Sequence, residues 1–269
     1  MDYNEFSIKR QSIPDIESAV IEFFQRARTA SEHRFFLTII DLHTIRTSPL
    51  ELRSDGLPRR YTFIPRLGLG IQQYSEFLSA VSHTDLSEVE TESERSFLRR
   101  LQMLAYSQLW EHIEIQTLLW QLLLIANGNE YDPTLLWENF RKREISCNSI
   151  YERIRKEARP PSLTIGAVID NLYYNQIRNA FVHSQFYFGA DLVSFENADL
   201  KNPNDIPSLK IEIWDSLFAD TLRFVASLFA VRRVAEQELI ERCPFTFEVP
   251  EILPFTIKYD RGEFRHTET

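Results

Sequence analysis

Glycine and cysteine are both scarce in this sequence. Of its 269 residues, 7 are glycine and 2 are cysteine. The tight backbone turns that bind phosphates usually need several glycines, so this scarcity argues against a glycine-rich nucleotide-binding fold. Two cysteines are too few for a disulfide framework or for a cysteine zinc site. We therefore expect neither a cofactor nor a bound metal.

Long apolar runs are also missing. The most apolar stretch, Leu118 to Ala126, is interrupted by Gln121. It is far shorter than the roughly 20 residues that span a bilayer. The opening residues lack the basic-then-apolar pattern of a secretory signal peptide. We therefore expect a cytoplasmic, reducing environment and no membrane partner.

Positive charge is in the minority. There are 30 Lys and Arg residues against 39 Asp and Glu residues, a formal net charge of −9. This balance weighs against a protein that coats nucleic acid, because phosphate neutralisation needs clustered cations. It still permits a nuclease that acts at one small basic cleft.

Short cationic clusters are more typical of solvated helix faces or helix ends than of nucleic-acid patches. They are Arg99–Arg100, Arg141–Arg143, Arg153–Lys156 and Arg232–Arg233.

Apolar side chains at helical spacing are abundant. Hydrophobic residues make up 43% of the chain and include 20 phenylalanines, an ordinary globular balance. The pattern predicts a mainly all-α fold. Helices are expected after Ser12 and Pro14, over Phe35–Leu42, after Pro65, and over Ser93–Ala126, Asp132–Phe140, Ile150–Ala158, Ile165–Gln185 and Trp214–Arg242.

Three segments are predicted along the chain. Residues 1–90 form an N-terminal helical extension, with a loop over Thr47–Arg60. Residues 91–243 form a helical domain. It carries a strand insertion at 186–213, where Phe186–Phe188 and Leu192–Phe195 form a hairpin and Leu209–Ile213 adds a third strand. Residues 244–269 form an extended C-terminal tail.

The segment Arg178–His183 contains an arginine, an amide and a histidine, which are the kinds of group needed to cleave RNA without a metal. Arginine holds a phosphate through its planar fork of donors, and histidine transfers protons near neutral pH. On a helix, positions four apart differ by only about 40° around the axis. Asn179 and His183 therefore share a helix face, with Arg178 beside it.

The spacing alone is weak evidence. Arg28 to His33 and Arg261 to His266 have the same separation as Arg178 to His183. Only Arg178 is followed by an asparagine and lies in a strongly apolar helical stretch, Ile165 to Phe188.

A long helix, a shorter helical connector and a later helix with Arg-Asn-x-x-x-His near its end together resemble the HEPN superfamily. The resemblance covers about Ser93 to Arg242. It implies a helical bundle that is commonly dimeric, and for many members a metal-independent ribonuclease of toxin–antitoxin, phage-defence or CRISPR-associated systems.

One position departs from the toxin branch that is paired with a nucleotidyltransferase antitoxin. That branch has a tyrosine two residues after the histidine, as the site of nucleotide attachment. This chain has Gln185 there, and the nearest tyrosine is Tyr187.

The resemblance implies catalytic roles for Arg178, Asn179 and His183. His183 would deprotonate the ribose 2′-hydroxyl or protonate the leaving oxygen, with its copy in a homodimer performing the other task. Arg178 would stabilise charge on the phosphate. Asn179 would orient His183 or bind the RNA substrate. The products would be a 2′,3′-cyclic phosphate and a free 5′-hydroxyl, and an antitoxin or a defence-system protein is the expected partner.

Two acidic residues of the long helix are candidate supports for this site. Glu111 and Glu114 would orient Arg178 if the helix packs near the motif, although a solvated face or a structural pair is the more common reason for such carboxylates. Asp41 and His43 resemble part of a metal site but have no third ligand at a convincing spacing. The tryptophans are expected in the core.

Two other interpretations stay open. The first is a catalytically inactive HEPN-like scaffold with the same cleft. The second is an unrelated helical adaptor. In that case Arg178 and His183 point apart or into the core. Independently of any family, Arg178 can also be a helix-end arginine that pairs with Asp170 or Asp191, and His183 a C-terminal histidine favoured by the helix dipole.

Overall fold

Helices make up most of the described chain. The computed structural model describes residues 14–47, 61–63, 91–129, 147–158, 163–198, 206–248 and 254–267. The helices are α1 (Ile16–Ala30), α2 (Glu32–Thr44), α3 (Glu92–Glu111), α4 (Ile113–Ala126), α5 (Cys147–Glu157), α6 (Ile165–Leu172), α7 (Asn175–Val182) and α8 (Ile211–Arg242). The strands are β1 (Ile45–Thr47), β2 (Tyr61–Phe63), β3 (Phe186–Phe188), β4 (Leu192–Phe195), β5 (Ser208–Lys210), β6 (Phe245–Phe247), β7 (Phe255–Asp260) and β8 (Glu263–Thr267). The mainly helical character is confirmed, whereas a HEPN-like arrangement stays a prediction.

The predicted long helix, Ser93–Ala126, is wrong as a single element. It begins at a capping box in which Thr91 and Glu94 satisfy each other's backbone N–H groups. It then breaks at His112, whose backbone is extended, so that α3 and α4 are separate helices. The carbonyl of Trp110 accepts hydrogen bonds from Gln116 Nε2 at 2.8 Å and Tyr151 Oη at 2.9 Å. These buried side chains stabilise the break, which apolar spacing does not reveal.

The predicted helix Ile165–Gln185 is likewise two helices. The chain is extended at Tyr173 and Tyr174, between α6 and α7. The buried hydroxyl of Tyr106 donates to the carbonyl of Leu172 at 2.8 Å and accepts the N–H of Tyr174 at 2.9 Å. The guanidinium of Arg155 donates to the carbonyl of Tyr173. Side chains from α3 and α5 therefore satisfy the backbone groups that the break releases.

The buried apolar residues form one core. Helices α1 and α2 pack against α4 and α8, and their buried side chains belong to the same cluster as those of α3 to α8. Trp110, Trp120 and Trp214 are buried, as expected. The helices of the predicted N-terminal extension therefore share this core with α3 to α8.

Within the described residues, three small antiparallel sheets accompany the helices. The predicted sheet after the motif is present as β3-β4-β5, although its third strand ends at Lys210 because Ile211 already begins α8. The β1–β2 pair was not predicted, and Thr47, which was assigned to a loop, ends β1.

The predicted extended tail forms a sheet of its own, β6-β7-β8. Its β7–β8 turn has positive φ at both Arg261 and Gly262, as two-residue hairpins prefer.

Some predictions fall outside the described residues. They are the helix start at Ser12, the helix after Pro65 and the helix Asp132–Phe140, which contains Trp137. Of the helices that the structure describes, none combines the length and apolarity needed to cross a bilayer.

Candidate functional site

The motif lies at the end of α7. Arg178 and Asn179 are on the helix, and His183 is its C-cap residue. The helix closes with N–H groups of Ser184 and Gln185 donating to the carbonyls of Phe181 and Ala180 at 3.1 and 2.8 Å. Ser184 takes a left-handed conformation with φ of 55°, as is usual for the residue after a helix C-cap. This turn leaves His183 exposed.

Arg178 is held by two neighbours. Its Nη2 donates to Asn179 Oδ1 at 2.8 Å, and its Nε lies 3.5 Å from Glu111 Oε1 on α3. The second distance is that of an ion pair rather than of a good hydrogen bond. The arginine side chain is 19% exposed. Among the described residues Nη1 has no hydrogen-bond partner, so this donor is available to a ligand.

Asn179 contacts the arginine rather than the histidine. Its side-chain oxygen accepts from Arg178, while its backbone carbonyl accepts the N–H of His183 at 3.0 Å. Within the described ranges the imidazole forms no hydrogen bond. The asparagine therefore fixes the guanidinium, and the predicted orientation of His183 by Asn179 is not observed.

Only one of the two candidate carboxylates reaches the motif. Glu111 ends α3 and pairs with Arg178. Glu114 lies past the break at His112, on α4, near the buried Arg232 of α8. Burial lowers the pKa of Arg232, and the charges of Glu236 and Glu114 oppose that shift. Glu114 therefore acts on a structural arginine.

The other two pairs with the motif spacing are built differently. Arg28 donates to Glu238 at 2.7 Å, and His33 Nδ1 accepts the N–H of Glu248 at 3.0 Å. Arg261 lies in the β7–β8 turn and His266 on β8. Arg28 and His33 thus bond to residues of other elements, whereas Arg178 and His183 lie on one short helix and its C-cap.

Two positioning residues were not predicted. Tyr106 joins α3 to the start of α7 through its hydroxyl. The amide of Gln176 exchanges hydrogen bonds with the backbone of Ile206, donating at 2.7 Å and accepting at 2.6 Å. A buried tyrosine at helical spacing is indistinguishable from an ordinary core residue in sequence, and a helical glutamine carries no signal of its own.

The described ranges contain no cluster of three His, Cys, Asp or Glu side chains that can hold a metal ion. The side chains of Asp41 and His43 lie outside what the structure describes.

Comparison with known proteins assigns this chain neither to a family nor to a function. No family model, curated protein or solved structure matches the chain. Any functional assignment therefore rests on the side chains around Arg178.

Proposed function

We propose that this protein is a metal-independent endoribonuclease of the HEPN type. It cleaves RNA by attack of the 2′-hydroxyl, at a site shared by two copies of the chain, in a toxin–antitoxin or phage-defence setting. One observation carries the proposal. Arg178 lies on the short helix that ends at the exposed His183, and it is held there by Asn179 of the same helix and by Glu111 of α3.

Arg178 suits transition-state stabilisation. A guanidinium held by a hydrogen bond to Asn179 and an ion pair with Glu111 loses little freedom when it binds, and its Nη1 donor remains open. Negative charge that builds on the non-bridging phosphate oxygens is stabilised most by such a prearranged donor.

His183 suits proton transfer. It lies at a helix end where substrate has access, and imidazole is the usual acid–base group near neutral pH. Transesterification needs one group to take the 2′-hydroxyl proton and another to protonate the 5′-oxygen. A second copy of the chain would supply a second His183. The exposed Val182 beside it, 54% accessible, offers apolar surface for that contact.

The test is cleavage of oligonucleotides that differ by one hydroxyl. An all-RNA strand should yield a 2′,3′-cyclic phosphate and a 5′-hydroxyl, and a strand with a single 2′-deoxy nucleotide should resist cleavage at that linkage. Activity per chain should rise with protein concentration, because the shared site requires the dimer. Equal cleavage at the 2′-deoxy linkage would exclude this mechanism.

A catalytically silent HEPN-like scaffold is the second candidate. The ion pair of Glu111 with Arg178 favours it, since a neighbouring carboxylate reduces the positive charge offered to phosphate. Under this alternative, the folded protein binds its partner but leaves every RNA linkage intact.

A further inference from the structure

The outward face of the β3-β4-β5 sheet carries an unusual set of side chains. Tyr187 is paired with Ser194, and Ser194 with Ser208, in one row across the three strands. The next row contains Leu192 opposite Lys210. These five residues are called the sheet face from here on. Tyr187 is 55% exposed.

The ring of Tyr187 is uncovered because the residue directly opposite it, Ser194, is small. Aromatic residues on sheets usually pack against aromatic or β-branched partners in the facing strand, and serines cannot cover a ring. Within the described part of the chain, the ring has no aromatic contact and the hydroxyl no hydrogen bond. The opposite side of the same sheet is filled normally, with Val193 and Leu209 buried.

The sheet is fastened to the motif helix at several points. The rings of Phe181 on α7 and Phe186 on β3 stack with centroids 5.8 Å apart. The N–H of Glu196 donates to the carbonyl of Gln185 at 2.8 Å. Asn197 Nδ2 donates to the carbonyl of Gln176 at 3.0 Å. The sheet face therefore has a fixed position relative to Arg178 and His183.

We propose that the sheet face is a nucleotide-binding subsite for single-stranded RNA. Tyr187 stacks on one base of the strand that is cleaved at His183. Ser194 and Ser208 offer hydroxyls to the sugar or base. The inference rests on the proposed function, and it names the side chains that hold the substrate beside the cleaved linkage.

The size of the face favours a nucleotide over a protein. Three short strands at about 4.8 Å spacing cover roughly 10 Å in each direction. That area fits one or two nucleotides, whereas a specific protein interface needs about 800 Å² on each partner. One aromatic ring and two hydroxyls also match the base and ribose of a nucleotide.

The experiment measures binding separately from cleavage. A fluorescein-labelled single-stranded RNA is titrated with the full-length His183→Ala protein, alone and combined with Tyr187→Ala or Tyr187→Phe. Loss of the ring should weaken binding about ten-fold or more, whereas phenylalanine keeps the stacking surface and should bind like tyrosine. Tyr259→Ala on β7 is the matched control, because Tyr259 is also an exposed strand tyrosine and should leave the affinity unchanged. Thermal unfolding of each variant checks that it is folded.

The outcomes separate this inference from the proposed function. If the wild-type protein cleaves RNA but Tyr187→Ala leaves the affinity unchanged, the subsite is overturned and the ribonuclease proposal stands. If Tyr187→Phe weakens binding as much as Tyr187→Ala, stacking is overturned. If no RNA is bound or cleaved by any form, both proposals are overturned.

Discussion

At the scale of single residues, the surroundings of Arg178 decide what it can do. The carboxylate of Glu111 and the amide of Asn179 set the direction of its guanidinium. The motif and the carboxylate candidates were readable in the sequence. The choice between Glu111 and Glu114 was not, because it depends on a helix break at His112 that side-chain hydrogen bonds to the Trp110 carbonyl stabilise.

The first prediction concerns Glu111. Glu111→Gln keeps the shape of the side chain but removes its charge, so Arg178 loses part of what orients it. We expect kcat to fall about ten-fold with little change in KM, since the lost interaction acts on the transition state. Stability should change by no more than about 1 kcal/mol, because the pair is partly exposed.

Glu114→Gln is the control for that experiment. Glu114 neighbours the charge of Arg232, which is only 5% exposed. Its loss removes an opposite charge beside that buried guanidinium, so it should lower the free energy of unfolding in urea and leave kcat per folded molecule unchanged. The opposite pattern, with kcat reduced by Glu114→Gln and not by Glu111→Gln, would contradict the assignment of Glu111 as the positioning residue.

At the scale of helices and strands, two side-chain contacts from α3 fix the position of the motif helix α7. Tyr106 and Glu111, both on α3, meet the start and the middle of α7 at Tyr174 and Arg178. Helix α7 is short, with 8 residues, and helices of that length are unstable in isolation. Its position therefore depends on these contacts and on its packing.

The second prediction is for Tyr106→Phe. The substitution keeps the buried ring but leaves the N–H of Tyr174 and the carbonyl of Leu172 without their partner. Urea denaturation should show a loss of about 2–3 kcal/mol, and kcat of the folded variant should fall. Tyr151→Phe should cost about 1 kcal/mol only, since its acceptor, the Trp110 carbonyl, keeps Gln116. Equal losses for the two variants would refute the special role of Tyr106.

The third prediction concerns the close approach of α6 to the end of α5. A methyl group at Gly166 would overlap the backbone carbonyl of Ala158, whose carbon would lie 2.7 Å away. Gly166→Ala should therefore lower stability by at least about 2 kcal/mol, because backbone cannot yield as a side chain does. At Gly189 the nearest atom would be 3.6 Å away, so Gly189→Ala should be tolerated. A stable Gly166→Ala protein would show that α5 and α6 are less closely packed.

Periodic elements were predictable from the sequence and broken ones were not. Apolar spacing predicted α1, α2, α5 and α8, and the turn residues between Phe188 and Leu192 predicted the hairpin. The breaks at His112 and Tyr173 lie within continuous apolar patterns. They are stabilised in large part by Tyr106 and Tyr151, whose partners are backbone carbonyls far away in the sequence. Local pattern contains no information about such partners.

At the scale of the whole molecule, helix α2 near the start of the described chain contacts strand β6 near its end. The ring of Phe36 on α2 lies 5.6 Å from that of Phe245 on β6, and the guanidinium of Arg242 lies 5.0 Å from each ring. The predicted N-terminal extension and C-terminal tail therefore contact each other. A single sequence indicates that each segment has an apolar face, but not which other segment covers it.

The fourth prediction concerns acid stability. Hydrogen bonds from Arg242, and then from Arg28, lower the pKa of Glu32 to about 2 from an ordinary 4.5, against burial, which raises it. In the folded state Glu32 therefore stays ionised at pH values at which it is protonated in the unfolded chain. The stabilisation is complete above about pH 4.5 and is lost as the pH falls towards 2. Because both partners are more than a third exposed, we expect at most about 1 kcal/mol.

Unfolding by urea at several pH values between 6 and about 2 tests this sign. The wild-type protein should lose more stability over this range than Glu32→Gln, whose side chain does not titrate. Glu157→Gln is the control, because Glu157 pairs with a neighbour on its own helix and joins no separate elements. Parallel loss in wild type and Glu32→Gln would contradict the role of this network.

The most direct test of the central claim is RNA cleavage in EDTA by the wild-type protein and its single-residue variants. We predict metal-independent cleavage that is reduced at least about a hundred-fold in both His183→Ala and Arg178→Ala, in line with the loss of an acid–base group or of a charge-stabilising donor. Arg223→Ala, which removes an exposed arginine of α8, should cleave like the wild type. Cleavage that survives in both His183→Ala and Arg178→Ala would contradict the account.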